Sequence, residues 1–142
     1  MKVFLDTNIL MDWYQKGRPG NALAKAIISA SGEDTYHLVI STQSIIDSAY
    51  TLRKTGVTYD AFADMLHTLR TRARSVGIDE IDLLWAMDNY TGDFEDDMQY
   101  ASAYNAVCDY FITRDKKLLQ HNSDLCPMTV ISPEDFVSRM MS

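Results

Sequence analysis

Residues 3–10, VFLDTNIL, contain the change of pattern from which the rest of the fold can be worked out. The first three residues are apolar and stop at Asp6, and Asp6, Thr7 and Asn8 are all residue types that cap helices. Apolar residues then recur at helical spacing from Ile9 to Tyr14. The stretch therefore predicts a short strand followed at once by a helix, with an aspartate at the junction.

The order of strand and then helix recurs along the chain. Further strands are predicted at residues 37–40, 110–113 and 129–131, with a short one at 80–82. Helices are predicted at residues 21–30 with Asn21 as the cap, through Lys54 after a cap at Ser41 or Thr42, at 59–76, at 83–89, through Val107 after a cap at Asp93, and from Pro133 after a cap at Ser132. This alternation predicts an α/β fold of three α/β/α layers, with a short parallel sheet of four or five strands.

The composition indicates one globular domain spanning residues 1–142. Hydrophobic residues make up 46% of the chain and charged residues 23%, which is ordinary for a folded protein. No apolar run approaches the roughly 20 residues that span a bilayer. The N-terminus is charged too early for a signal peptide. We therefore expect a cytoplasmic protein with no association with a membrane.

The cysteines and histidines argue against two other classes of site. Cys108 and Cys126 form no CxxC motif, so we expect two reduced, buried thiols. His37, His67 and His121 are scattered along the chain without the spacing of metal ligands. A zinc site built on histidine is therefore not expected.

Four aspartates are predicted to meet at one edge of the sheet. Ligands of open parallel sheets bind beyond the carboxyl ends of the strands. Asp6 ends the first strand, and Asp115 lies two residues after the strand at 110–113. Asp47 lies about one and a half turns into the helix that follows the second strand. Asp96 lies in the first turn of the helix that starts near Asp93.

Carboxylates that lie close together repel one another, and bound cations offset this repulsion. Oxygen ligands suit Mg²⁺ or Mn²⁺, and phosphodiester hydrolysis is the reaction that such a site commonly performs. Each acid also has a simpler explanation. Asp6 and Asp115 are typical turn or cap residues, Asp93 is a typical cap, and the acids at 93–97 complement a helix dipole. Topology alone leaves both interpretations open.

Asp47 alone would be an ordinary solvated helix position. Ile45, Ile46, Ala49 and Leu52 are predicted to form the inward face of its helix. Because these neighbours surround Asp47 in sequence, they are expected to draw its side chain toward the buried side.

Five segments, in order along the whole chain, resemble the PIN-domain family. They are VFLDTNILMD at 3–12, ISTQSIID at 40–47, DFEDDMQYA at 93–101, DYFITRD at 109–115 and VISPEDF at 130–136. The resemblance implies a Mg²⁺- or Mn²⁺-dependent endoribonuclease. Small bacterial members of this kind are commonly toxins of toxin–antitoxin pairs, similar to the VapC group. An antitoxin partner and a homodimer are implied as well.

The resemblance also assigns roles to individual residues. Asp6 corresponds to a central metal ligand, and Asp96 and Asp115 correspond to the third and fourth acids. Asn8 and Thr113 would support these acids by hydrogen bonds, and Asp93 is an extra ligand through water.

This chain departs from the family pattern at two of the acids. The second acid of the family is usually Glu and here it is Asp47, which leaves open whether that side chain reaches a metal directly or through water. Asp97 stands where a small apolar residue is usual, so Asp96 and Asp97 compete for one role. Spacing to Thr113 favours Asp96, and only one of the two can face the site, because they point about 100° apart on a helix.

The formal net charge of −7 argues against binding RNA through bulk electrostatics, so a nuclease would need a local basic patch. Arg114 and Lys116 are the best-placed candidates for RNA contacts, with Lys117 beside them. Further candidates are Arg53, Lys54, Arg70, Arg72 and Arg74, with Trp13 and Tyr14 for base stacking.

The first helices, with Met11 and Trp13, are the expected antitoxin surface. The competing hypotheses are a catalytically weakened PIN-fold module that binds RNA or protein, and a phosphatase or DNA nuclease using the same acids.

Overall fold

The computed structural model describes residues 1–121 and 127–140. Within them the strands are β1 (Lys2–Leu5), β2 (His37–Ser41), β3 (Ala73–Val76), β4 (Tyr110–Ile112) and β5 (Thr129–Ile131). They form one parallel sheet in the order β3-β2-β1-β4-β5. The helices are α1 (Thr7–Tyr14), α2 (Asn21–Ala30), α3 (Thr42–Lys54), α4 (Tyr59–Arg70), α5 (Glu80–Asp88), α6 (Phe94–Asn105), α7 (Lys116–Leu119) and α8 (Pro133–Met140).

Successive side chains of a strand point to opposite sides of the sheet, and apolar side chains lie on both sides here. Helices therefore cover both faces. On one face Val3 and Leu5 of β1 are buried in a cluster with residues of α1, α2 and α8. On the other face Phe4 and Phe111 stack with their ring centroids 5.1 Å apart, in a cluster with residues of α6 and α7. The predicted three-layer α/β/α fold with a short parallel sheet is confirmed.

Four predicted helix starts are confirmed by hydrogen bonds to the caps. Asp6 accepts from the Thr7 amide, and Ser41, rather than Thr42, accepts from the Ser44 amide. Asp93 accepts from the Asp96 amide, and Ser132 accepts from the Asp135 amide ahead of α8. Short polar side chains at these positions satisfy backbone amides that have no partner within the helix.

The prediction of one helix over residues 59–76 was wrong. The helix α4 ends at Arg70, and residues 73–76 form β3 at the edge of the sheet. Ala73 continued the helical spacing of apolar residues, which is why the sequence favoured a longer helix. The deciding interaction is the pairing of β3 with β2, from Leu38 with Ala73 to Ser41 with Val76, and that partner is remote in sequence.

Two smaller predictions were also wrong. Residues 80–82 are not a strand, because Asp79 and Asp82 form a reciprocal capping box that starts α5. Asn21 does not cap α2, whose N-cap is Gly20. The side-chain amide of Asn21 instead donates to the carbonyl oxygens of Asp12 and Trp13, at 2.8 and 3.1 Å.

Cys108 is buried and has no disulfide partner among the described residues. Burial raises the pKa of its thiol to about 12, so the thiol keeps its proton at neutral pH. Cys126 lies outside the described residues. In the part of the chain that the structure describes, no helix has both the length and the apolar character that crossing a membrane requires.

Candidate functional site

Two neighbouring strands deliver the first pair of acids to one edge of the sheet. Strands β1 and β4 pair in register, with Leu5 opposite Ile112, and the Asp6 amide donates to the Ile112 carbonyl at 3.0 Å. Asp6 follows β1 directly, and Asp115 follows β4 after a short turn. The two carboxylates interact electrostatically, since Asp115 is one cause of the raised pKa of Asp6.

Asp6 is buried, with 6% of its surface exposed. Burial raises the pKa of its carboxyl group, and the carboxylates of Asp115 and Asp93 act in the same direction. Hydrogen bonds from Thr113 and from the Thr7 amide, both at 2.8 Å, lower that pKa and offset part of the effect. The fold therefore holds an acid in a place where its charge is disfavoured unless further positive charge arrives.

Thr113 connects Asp6 with Asp115. It is fully buried, and its hydroxyl donates to Asp6 Oδ2 at 2.8 Å. The Thr113 hydroxyl oxygen in turn accepts a hydrogen bond from the backbone amide of Asp115 at 3.0 Å. The resemblance implied hydrogen bonds of this kind for Thr113, and its role in supporting a metal site stays a prediction.

Asp96 is the most electrostatically perturbed member of the group. Burial, followed by the carboxylates of Asp115, Asp93 and Asp6, raises its pKa to about 7. Its Oδ2 atom is buried and has no hydrogen-bond partner among the described residues. A buried acceptor without a donor is unfavourable, and a cation bound there would offset both the burial and the repulsion.

Asp97 faces different partners from those of Asp96. Its side chain is buried and accepts from the amide and the hydroxyl of Thr91, at 2.9 and 2.6 Å. Those bonds tie the loop before α6 to the helix. Of the two acids that competed for one role in the sequence, Asp96 faces Asp6 and Asp115, and Asp97 holds the loop.

Asp93 and Asp115 are helix caps as well as members of the charged group. Asp93 caps α6, and Asp115 Oδ1 accepts from the amides of Lys117 and Leu118 at the start of α7. Each acid nevertheless contributes to the raised pKa of Asp96. The same side chains therefore cap helices and take part in the charged group, and the binding of a cation there stays a prediction.

A cavity of about 360 Å³ joins Asp6, Asp96 and Asp47. Asp47 accepts a hydrogen bond from the Gln43 amide at 2.9 Å. The buried residues of α3 are Ser44, Ser48 and Leu52, and Ile45 packs against the core, so Leu52 and Ile45 lie inward as predicted. Ile46 is 61% exposed, and the prediction that it faces inward was wrong. Asp47 lines the cavity together with Tyr50 and Thr51 of the same helix.

Oxygen donors of this kind fit Mg²⁺ or Mn²⁺, which take carboxylate ligands. Among the described residues, no three His, Cys, Asp or Glu side chains form a group that could hold an ion as they stand. Binding a cation therefore requires side-chain movement or bridging water. Mg²⁺ usually keeps several of its waters, and the unpartnered Asp96 Oδ2 would be available to accept from one of them or to bind the ion.

The model of the PIN domain family matches residues 2–117, which is most of the chain. The chain belongs to the PIN domain family. No curated protein matches its sequence significantly.

Solved structures share this PIN fold at low sequence identity. PAE2754 from Pyrobaculum aerophilum has a TM-score of 0.68 at 16% identity, over 99% of this chain and 96% of that one. A toxin–antitoxin complex from Klebsiella pneumoniae has 0.67 at 20%, over 92% and 97%. VapC20 from Mycobacterium tuberculosis, a toxin that cleaves the sarcin–ricin loop, has 0.61 at 16%, over 80% and 90%. At these identities the likeness concerns the fold.

The sequence analysis missed Gln99, which is buried beside the acids of this PIN domain. Its side-chain oxygen accepts from Ser41 at 2.8 Å, and its amide donates to Ser44 at 2.6 Å and to Thr7 at 3.1 Å. The network joins α1, α3 and α6 on the wall of the acid cavity. The one available signal was the spacing of Gln99, which lies three residues after Asp96 and so on the same face of α6.

Glu95 was also missed as a member of the site. It was assigned only to the helix dipole, but it is an exposed residue on the wall of the acid cavity. Its carboxylate adds negative charge to the wall of that cavity.

Three further predicted residues lie near the site with different surroundings. Arg114 donates to Asp12, at 2.9 Å, and Arg18 donates to the same carboxylate oxygen at 2.7 Å. Lys116 is exposed at the start of α7. Asn8 is exposed on the wall of the acid cavity, and its side chain makes no hydrogen bond to another described residue, so its supporting role stays a prediction.

Proposed function

We propose that this PIN domain is an endoribonuclease that depends on Mg²⁺ or Mn²⁺. The observation that carries the proposal is the mutual arrangement of Asp6, Asp96 and Asp115. These acids come from three separate elements, two of them have raised pKa values, and one has a buried oxygen without a partner. Such an arrangement is unfavourable for the fold alone, which supports a role in binding cations and a phosphodiester.

The residues divide into those that would hold the ion and those that position them. Asp6, Asp96 and Asp115 would hold Mg²⁺ or Mn²⁺, with Asp47 and Asp93 acting directly or through water. When bound, the ion supplies polarisation of the phosphate and a water of lowered pKa. Thr113 orients Asp6 and Asp115, and Asn8 and Gln99 lie on the wall of the same cavity.

Cleavage of RNA with and without the ion tests the proposal. We expect the purified protein to cut RNA with Mn²⁺ or Mg²⁺, and Asp6→Asn to lower the rate by at least about 100-fold, because a central ligand loses its charge. Asp34→Asn is the matched control, since this exposed aspartate precedes β2 at the opposite edge of the sheet. Equal cutting by wild type and Asp6→Asn would assign the activity to a contaminant and refute the proposal.

We also propose that the protein is the toxin of a toxin–antitoxin pair. We propose further that it acts in the cytoplasm, that it consists of one domain and that it forms a homodimer. Support comes from the shared fold with toxins such as VapC20 and with the Klebsiella pneumoniae complex. Induction of the protein should arrest growth, and co-expression of a short open reading frame just upstream should relieve the arrest. Light scattering on the purified protein measures the homodimer separately.

A second candidate is a PIN-fold module that binds RNA or a protein but cuts poorly. The state of Asp47 favours it, because this side chain is shorter than the family's usual Glu and is bonded to Gln43. Calorimetric titration separates the candidates, since absence of binding at millimolar Mg²⁺ or Mn²⁺ would favour the module. The same preparation should be offered RNA, flap DNA and a phosphate monoester, because a phosphatase or DNA nuclease would use the same acids.

A further inference from the structure

A groove with a volume of about 890 Å³ runs along the outer edge of the sheet, between strand β3 and helix α4. Ala73, Arg74 and Ser75 of β3 all line it. Successive side chains of a strand point to opposite faces, so a groove that meets three consecutive residues lies along the edge of the strand and not over one face. We call it the β3-edge groove. It shares no lining residue with the acid cavity.

One face of α4 forms the opposite wall of the β3-edge groove. The residues of this wall follow the three- and four-residue spacing of a single helix face, and they are Tyr59, Ala63, Leu66, His67 and Arg70. Ile40 of β2 and Leu69 of α4 also line the groove and are each 2% exposed, so they form an apolar floor. A ligand in the groove therefore meets apolar side chains at its base.

The backbone of β3 is unpaired on the side that faces away from β2. β3 is the outermost strand of the sheet, and within the described residues its backbone hydrogen bonds are those to β2. An edge strand presents a row of free N–H and C=O groups, with which an extended peptide can pair. β3 has four residues, so a partner segment of about four to six residues would match its length.

The rim of the β3-edge groove is positively charged. Arg70 and Arg74 line it, and no Asp or Glu is among the described residues that do so. The acids of α4, Asp60 and Asp64, lie on other sides of that helix. Neither arginine forms an ion pair with a carboxylate in the part of the chain that the structure describes. In a protein with a net charge of −7, two unpaired guanidinium groups beside an apolar groove favour an acidic partner.

We propose that the β3-edge groove binds an extended, acidic segment of another protein, which joins the sheet as a further strand beside β3. Apolar side chains at alternate positions of that segment contact the groove floor, and its carboxylates contact Arg70 and Arg74. An unpaired strand edge favours a peptide over a nucleic acid, because a peptide backbone supplies the matching donors and acceptors. The inference goes beyond the proposed function, since it involves neither the acids of the cavity nor a metal.

Selection from a phage-displayed library of random peptides identifies the chemistry that the groove accepts. The library is first depleted on the double variant Arg70→Gln, Arg74→Gln, so that peptides that bind elsewhere are removed. We expect the peptides enriched on wild type to alternate acidic with apolar residues, without proline, which cannot donate to a strand edge. The double variant Lys25→Gln, Arg139→Gln is the matched control, because it removes the same charge from exposed residues of α2 and α8 and should bind these peptides as wild type does.

Filling the groove tests the location of the peptide while the charges stay in place. Ala63→Trp puts an indole ring into the groove and should raise the Kd of a fluorescently labelled, enriched peptide at least about tenfold, measured by fluorescence anisotropy. Ala22→Trp makes the same change at an exposed position of α2 and should leave the Kd unchanged. Melting temperatures establish that both variants are folded. An unchanged Kd in a folded Ala63→Trp variant would place the peptide elsewhere and refute the inference.

Changes to the peptide test strand pairing without altering the protein. Methylating the backbone nitrogens of every second residue removes one row of donors, and only one of the two rows faces β3. One methylated peptide should therefore bind at least about tenfold more weakly than the parent peptide, and the other should bind within about threefold of it. Replacing the carboxylates of the peptide by amides should also weaken binding about tenfold. Equal binding by the two methylated peptides would exclude the addition of a strand.

Three further outcomes would overturn the inference. The first is that no peptide is enriched on wild type. The second is that a single-stranded oligoribonucleotide displaces the peptide, which would assign the groove to a nucleic acid. The third is a wild-type dimer in light scattering that the double variant Arg70→Gln, Arg74→Gln dissociates, which would assign the groove to a second copy of this chain. Peptide binding is measured in EDTA, so a failure of the proposed nuclease function leaves this test unaffected.

Discussion

Thr113 supports two of the acids with a single side-chain oxygen. Its hydroxyl is fully buried, donates to Asp6 and accepts from the Asp115 amide. One oxygen thus sets the relative position of two acids that follow different strands. Asp96 depends on its surroundings in the opposite way, because nothing among the described residues donates to its Oδ2 atom. The site therefore combines a threonine hydroxyl that both donates and accepts with one carboxylate oxygen that has no donor among the described residues.

Replacing Thr113 should separate support of the acids from formation of the fold. Thr113→Val keeps the shape but leaves Asp6 Oδ2 and the Asp115 amide without this partner. We expect metal affinity or cleavage to fall by roughly 10- to 100-fold. Thr113→Ser retains the hydroxyl and should keep most of the activity. Calorimetry with Mn²⁺ and cleavage kinetics measure the effect, and a fully active Thr113→Val would show that the hydroxyl positions nothing.

The raised pKa of Asp96 predicts how stability depends on pH. An unfolded aspartate loses its proton near pH 3.8, whereas Asp96 in the folded protein keeps it to about pH 7. The folded state therefore binds more protons in this window, and the contribution of Asp96 to the free energy of unfolding falls as pH rises through it. In EDTA, Asp96→Asn should melt at the same temperature as wild type near pH 4 and at a higher one above about pH 7.

Thermal denaturation followed by circular dichroism measures this difference. Adding Mn²⁺ should reverse it above about pH 7, because the ion stabilises the charged carboxylate of wild type and not the amide. A difference in melting temperature that does not change with pH would contradict the assignment of the pKa to Asp96.

At the scale of elements, the junction between helix α1 and the turn after β4 depends on one buried acid. Asp12 is 1% exposed and accepts from both Arg18 and Arg114. The second bond ties α1 to the turn that carries Asp115. Arg114 was predicted to bind RNA; its guanidinium donates to an acid within the protein, and contact with RNA stays a prediction.

Arg114 and Lys116 should therefore respond differently to truncation. Arg114→Ala is expected to lower the free energy of unfolding by about 1–2 kcal/mol, a modest value because the side chain is about a third exposed and Arg18 still pairs with Asp12. Lys116→Ala should leave stability unchanged and raise the KM for RNA. Urea denaturation and cleavage kinetics distinguish the two. If Arg114→Ala raised KM and left stability unchanged, Arg114 would be an RNA contact after all.

For the whole molecule, the acids depend on packing between segments that are far apart in sequence. Gln99 of α6 bonds to Ser41 at the end of β2, to Ser44 of α3 and to Thr7 of α1. This buried network places α6, and with it Asp96, against the ends of β1 and β2. Within a low-dielectric interior a complete network is stable, and a broken one is costly.

Gln99→Leu should destabilise the whole fold as well as the site. The hydroxyls of Thr7, Ser41 and Ser44 can still bond to one another, so we expect a loss of about 2–3 kcal/mol in the free energy of unfolding. Activity should fall as well, because Asp96 shares the helix. Gln120→Leu, at an exposed glutamine, should change stability by less than about 0.5 kcal/mol. Urea denaturation with a similar midpoint for both variants would exclude a structural role for the Gln99 network.

Local patterns in the sequence were enough to predict the three-layer fold and the edge of the sheet at which Asp6, Asp96 and Asp115 meet. Caps, apolar spacing and the order of strands and helices are properties of neighbouring residues, so they can be interpreted without the fold. The strand β3 and the exposure of Ile46 on α3 could not be predicted in this way. A strand is stabilised by hydrogen bonds to a partner elsewhere in the chain, and a helix rotates to suit what it packs against.

The acids of the site, too, could be predicted from the sequence only in part. Their types and spacing indicated a cation site from the sequence, but the choice between Asp96 and Asp97 depended on Thr91, on Asp6 and on Asp115. The role of Gln99 could be recognised only in the folded chain. Burial, electrostatic repulsion and shared cavities are relations between residues distant in sequence, and they arise only when the chain has folded.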